Sequence, residues 1–203
     1  MTPVTRCSVL YGVVFMVAAF PGAAGAQRPH RSGLWGELGG GPSSVRIACS
    51  GCADVTRRSG SGGYFRVGGA VSDRILIGVE AFSLVDEAFG FSEGDTSIVA
   101  ENVSLAGVVL WYPGRTGIFL KAGVGLASGE FTIPGTPEPV VSQGIGTGLT
   151  FGIGFDLPIW RGLAVTGNAG TWVTAIGDVV LPDATVDDVI ATLYGLTFGF
   201  TLR

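Results

Sequence analysis

The stretch that most limits what this chain can become is its last one, Ala191 to Arg203. Tyr194, Leu196, Phe198, Phe200 and Leu202 alternate there with Gly195, Thr197, Gly199, Thr201 and Arg203. Strand side chains point to opposite faces with period two, so the first set forms an apolar face and the second a small or polar one. A half-buried soluble strand can carry the same alternation, but a terminal strand then needs a neighbour for its last residues. Closing the sheet on itself supplies that neighbour, because it joins the last strand to the first and leaves no open edge. The alternation therefore predicts a closed barrel.

Composition agrees with a barrel that meets lipid. Mean hydropathy is +0.50 and only 14% of residues are charged, so little of the surface is suited to water. No apolar run reaches the roughly 18 residues expected of a membrane-spanning helix. A chain this apolar without such a helix points to a barrel, the other structure that satisfies its backbone inside a bilayer. The first residues stand apart. Arg6 supplies a positive start, Val9 to Phe20 an apolar segment, and Ala24-Gly25-Ala26 a small-residue cleavage site, which together predict a secretion signal over residues 1–26. An anchored N-terminal helix is the competing reading, and the apolar segment is short for it. Loss of Arg6 removes one positive charge and takes the formal net charge from −4 to −5. That balance disfavours nucleic acid as a partner.

After a short polar lead, 27–32, eight segments alternate or nearly do: 33–40, 63–71, 75–84, 98–112, 117–129, 147–157, 163–174 and 190–203. The connections 72–74, 113–116 and 158–162 are short, whereas 41–62, 85–97, 130–146 and 175–189 are long and polar or glycine-rich. Short and long connections alternate strictly. With the aromatic alternation of the closing strand, this pattern resembles the small eight-stranded outer-membrane barrels of the OmpA/OmpX-like superfamily. The resemblance covers nearly all of 33–203. It implies an all-β, eight-stranded antiparallel up-and-down transmembrane barrel, exported to the bacterial outer membrane. It also implies short periplasmic turns, long extracellular loops, and insertion by the outer-membrane barrel assembly machinery.

The alternation also assigns faces. Ile75, Ile77, Val79 and Ala81 oppose Leu76, Gly78, Glu80 and Phe82, and Leu149, Phe151, Ile153, Phe155 and Leu157 oppose Gly148, Thr150, Gly152, Gly154 and Asp156. The uniformly apolar face is expected to meet the lipid bilayer, because the other carries the charges. A lipocalin-like barrel would invert this arrangement. The inward glycines leave room in a narrow lumen for long inward side chains. Trp35, Trp111, Tyr112 and Trp160 fall at the short-turn ends, where amphipathic rings favour the lipid–water boundary. They are expected to be interface aromatics.

Four charged residues are expected inside. If Val71 faces Ile75 across the first short turn, antiparallel pairing sets Arg66 opposite Glu80, and Glu37 and Lys121 also point inward at a similar height. Opposed charges stabilise one another, and in a poorly hydrated lumen pairing is needed to offset desolvation. Glu37, Arg66, Glu80 and Lys121 then form a luminal charge cluster. It can be read as a gate that controls permeation or as a satisfied polar core that fills a solid barrel.

Cys49 and Cys52 lie in the first long connection. A disulfide, a redox motif and half of a zinc site compete there. The oxidising compartment favours the disulfide, because a second cysteine pair and a βαβ setting are both lacking. Asp86, Glu87, Glu93 and Asp95 in the second long connection, and Asp178, Asp183, Asp187 and Asp188 in the fourth, match no calcium-loop spacing. The single histidine, His30, precedes the first strand, so no Ser-His or Asp-His constellation is expected within the barrel. No metal, cofactor or catalytic residue is predicted. The expected role is a non-enzymatic structural or surface-interaction protein with a possible ligand at its four loops. A narrow channel or transporter for small or apolar solutes is the alternative, and an outer-membrane enzyme a more distant one.

Overall fold

Period-two alternation sustained over most of the chain leaves a sheet as the structure that satisfies both faces, and the sheet closes. The computed structural model describes residues 33–48, 57–90, 97–114, 116–133, 140–180 and 185–203. Side chains are described for 33–48, 59–84, 102–114, 116–128, 145–177 and 188–203. The strands are β1 Leu34–Ala48, β2 Arg57–Ser72, β3 Ile75–Gly90, β4 Ser97–Trp111, β5 Ile118–Ile133, β6 Val140–Trp160, β7 Leu163–Val180 and β8 Thr185–Leu202. Each pairs antiparallel with its neighbours in chain order, and β8 returns to β1, with Leu38 facing Phe200 and Ser44 facing Tyr194.

Strand lengths depart from the sequence reading at one end of the barrel. A bilayer is crossed by about 9–11 tilted residues, yet the strands run from 15 residues in β1 to 21 in β6. The excess lies at the long-connection end, which leaves only 49–56, 91–96, 134–139 and 181–184 between strands. Ladder hydrogen bonds continue there after the lipid-facing alternation fades. Outward positions such as Ser44 and Arg46 on β1 are no longer apolar, so the pattern that marks a strand in lipid is missing from a strand that stands in water. The expected loops are therefore largely paired hairpins.

The first short turn is also tighter than expected. Ser72, not Val71, pairs with Ile75, because a bulge between Ala70 and Ser72 absorbs Val71. From Ala70 upward the register returns to the expected one, and Arg66 faces Glu80. In the third short turn Gly162 takes φ +76, a left-handed conformation that glycine adopts without steric cost.

The outer surface is a continuous apolar belt. Leu38, Phe65, Leu105, Leu126, Leu149 and Phe198 are each at least two-fifths exposed, and no charged side chain interrupts the belt among the described residues. Such a surface is stable in hydrocarbon and would aggregate in water. Where the belt lacks bulk, a neighbour covers the gap: the Phe155 ring lies across Gly167, its cross-strand partner.

Candidate functional site: the filled lumen

Inside the barrel the same alternation brings charged, aromatic and small residues together. Glu37 on β1, Arg66 on β2 and Glu80 on β3 occupy directly paired positions, so three adjacent strands deliver one row of ionic side chains. Lys121 reaches the row from β5 across the lumen. Glu80 is the hub. It accepts from Arg66 Nε, from Lys121 Nζ at 2.8 Å and from Trp172 Nε1 at 3.0 Å. Glu37 accepts from Arg66 Nη1 at 2.8 Å and from the Tyr64 hydroxyl at 2.5 Å. Two carboxylates meet two cations, so the cluster carries no formal net charge, and none of the four residues is more than 3% exposed.

Aromatic rings close the space around these charges. The Phe82 and Trp172 rings stack with centroids 4.0 Å apart. Lys121 Nζ sits 4.2 Å from the Trp172 ring, and the Arg66 guanidinium 4.3 Å from the Tyr64 ring. Both are cation–π contacts in a desolvated setting, where such contacts are at their strongest. Toward the long connections Val45, Leu84, Ile176 and Leu193 complete an apolar layer with these rings. On the facing wall Ala106, Gly125, Gly148 and Thr150 are small and leave a cavity of about 10 Å³ beside Trp172, room for roughly one water. At mid-height side chains occupy most of the lumen.

A second polar cluster lies near the short-turn end. Asp156 accepts from the Tyr112 hydroxyl at 2.7 Å, from Thr166 Oγ1 at 2.9 Å and from Arg203 Nη2. Arg203 also donates to the Tyr112 oxygen at 3.0 Å, and Thr166 shares a 2.6 Å hydrogen bond with Thr201. Beside it Leu76, Val108, Leu110 and Phe119 form an apolar wall. Space is tight on this wall: a side-chain carbon at Gly154 would collide with the Phe119 ring, so glycine there is what admits the phenyl group.

The expected site residues divide as follows. Glu37, Arg66, Glu80 and Lys121 come together in the lumen. Trp111 and Trp160 lie on the outer face, 47% and 77% exposed. Trp35 and Tyr112 are not interface aromatics: at 3% and 1% exposure they are packed inside, in one buried cluster with Leu76 and Phe119, and the Tyr112 and Phe119 rings lie 5.4 Å apart. Position along the strand had suggested the membrane boundary, but side-chain phase decides, and both share the inward phase of their strands. Trp172 likewise points into the lumen. Cys49 and Cys52 fall outside the described residues, as do residues 1–32 and, apart from that of Asp188, the carboxylate side chains named in the two acidic connections. The sequence reading missed Tyr64, Phe82 and Trp172 as partners of the charges, and Asp156 with Arg203 as a second pair. Their inward phase was readable; the distance between strands that are not neighbours was not.

No protein-family model matches the sequence, and no curated protein matches it. Solved structures do. Neisserial surface protein A superposes with a TM-score of 0.56 at 13% identity, over 85% of this chain and 97% of that one. Ail, the attachment invasion locus protein of Yersinia pestis, gives 0.57 at 12% identity, over 84% of this chain and 99% of its own. A major outer membrane protein from Thermus thermophilus gives 0.53 at 16% identity, over 86% and 100%. What is shared at such identities is the fold: this chain is an eight-stranded barrel of the kind built by small bacterial outer-membrane proteins.

Proposed function

We propose that this protein is a closed outer-membrane barrel whose role is to hold its long hairpins at the cell surface as an interaction platform, without catalysis. The observation that carries this reading is the mid-section occupied by side chains, where Glu37, Arg66, Glu80 and Lys121 neutralise one another beneath the stacked Phe82 and Trp172 rings. An interior already filled by side chains leaves the ends of the barrel as the place for variable chemistry, and segments held on a rigid scaffold commonly carry binding. The strands that rise beyond the membrane at the long-connection end give that platform height. The apolar outward face of β8, with Phe198, Phe200 and Leu202, suits recognition by the barrel assembly machinery. Ail is described as an attachment and invasion protein, which is consistent with a surface role on this fold.

Planar-bilayer conductance of the refolded protein, beside an Arg66→Ala variant, tests the reading. Silence from both is the expected result. Discrete conductance in wild type that rises in the variant would make the charge cluster a gate, and a narrow channel for small solutes would replace the platform. Hydrolysis of lipid or peptide by the purified protein would overturn the non-catalytic assignment.

A further inference from the structure

Two exposed tryptophans at the short-turn rim each stand beside an exposed arginine. Trp111 ends β4 on the outer face and pairs with Ile75. The next residue, Tyr112, donates its backbone N–H to the Arg74 carbonyl at 2.8 Å, which fixes the first short turn against the end of β4. Trp160 ends β6 on the outer face, and Arg161 follows it directly in the third short turn. Arg74 and Arg161 are both exposed. In sequence the three short turns hold Arg74, Arg115 and Arg161 against Asp73 alone. The opposite end has the other sign, because every segment that joins strands there carries a carboxylate, at Asp54, Glu93, Glu138 and Asp183.

We infer that the short-turn rim is a binding surface for anionic phospholipid headgroups, built from the Trp111/Arg74 and Trp160/Arg161 pairs. An indole on the outer face settles at the headgroup level of a bilayer. An arginine next to it extends its apolar stem along the interface and turns its guanidinium toward the headgroups. The planar fork of that group matches two phosphate oxygens at once. A lipid with net negative charge is favoured over a zwitterionic one because no headgroup cation opposes the arginine. The acidic far end repels the same lipids, so the two ends bias the barrel toward one orientation. Arg203 is not part of this surface, since its guanidinium is turned inward to Asp156.

Fluorescence provides the test, because the tryptophans separate by location. Trp35 and Trp172 are enclosed in the lumen, whereas Trp111 and Trp160 meet lipid. Quenchers on acyl chains therefore report on the rim. The protein is reconstituted in phosphatidylcholine bilayers containing a minor fraction of phosphatidylglycerol, with bromine carried on one lipid or the other. Wild type should show quenching by brominated phosphatidylglycerol that corresponds to a local enrichment on the order of fivefold over its bulk fraction. Arg74→Gln with Arg161→Gln should return it to the bulk value. Should that variant fail to fold, wild type in about 1 M sodium chloride, where screening acts within roughly 3 Å, should lose the excess in its place. Bulk-level quenching in wild type, or an excess that survives both the variant and the salt, overturns the inference. Loss of the excess to inorganic phosphate but not to chloride at equal ionic strength would also overturn it, by assigning the site to a free anion.

Discussion

The two luminal ion clusters use the same groups in different surroundings. At mid-height Glu80 serves three donors, and the side chains of Arg66, Glu37 and Glu80 are all but sealed from solvent. At the short-turn end the Arg203 side chain keeps 11% of its surface exposed, and Asp156 has two neutral hydroxyl donors, Tyr112 and Thr166, besides the arginine. Loss of one charge in the middle strands the others in a space water cannot readily enter. Loss of the arginine at the mouth leaves its carboxylate still hydrogen-bonded by two hydroxyls. The difference lies in redundancy and access to water, and contact distances alone would not reveal it.

That contrast can be broken by substitution. Glu80→Ala is expected to have the largest effect, since it leaves Lys121 without its carboxylate partner and Arg66 with Glu37 alone. Removal of one partner from a buried ionic group costs about 3–5 kcal/mol, measurable by reversible urea unfolding in lipid vesicles. A smaller loss, about 1–2 kcal/mol, is expected from Glu80→Gln combined with Lys121→Met, because charge is removed in balance and the Arg66–Glu37 pair survives. If the double variant loses as much as Glu80→Ala, shape and not charge holds the mid-section. Arg203→Ala should cost least, about 1 kcal/mol, the net worth of a hydrogen bond, because Asp156 keeps the Tyr112 and Thr166 hydroxyls as donors. Addition of salt should narrow the gap between Arg203→Ala and wild type while leaving that for Glu80→Ala nearly unchanged. An Arg203→Ala loss equal to that of Glu80→Ala would mean that the mouth is as dry as the middle.

Much of the barrel was legible along the chain because lipid imposes a rule on neighbours in sequence: each outward residue must be apolar. Strand number, strand order and the facing of Arg66 with Glu80 all follow from that rule and from short turns. Where the rule lapses, legibility lapses too. The upper parts of β1, β2 and β6 stand outside the apolar belt, so Gly41 to Ala48 and Val140 to Gly146 read as loop although they are paired strand. Trp35 and Tyr112 show the converse. Their distance from the strand ends suggested the membrane boundary, while their phase, which alternation records faithfully, placed them inside.

By itself the sequence determined that the chain closes into an eight-stranded barrel with an apolar exterior and with charges inside, because period two fixes which side of the wall each residue takes. Only the tertiary structure decided which inward residues meet. Lys121 reaches Glu80, Trp172 stacks on Phe82, and Arg203 turns in to Asp156, all between strands that are not neighbours. Those contacts depend on the stagger and diameter of the closed sheet, and these are properties of the whole ring that no single strand carries.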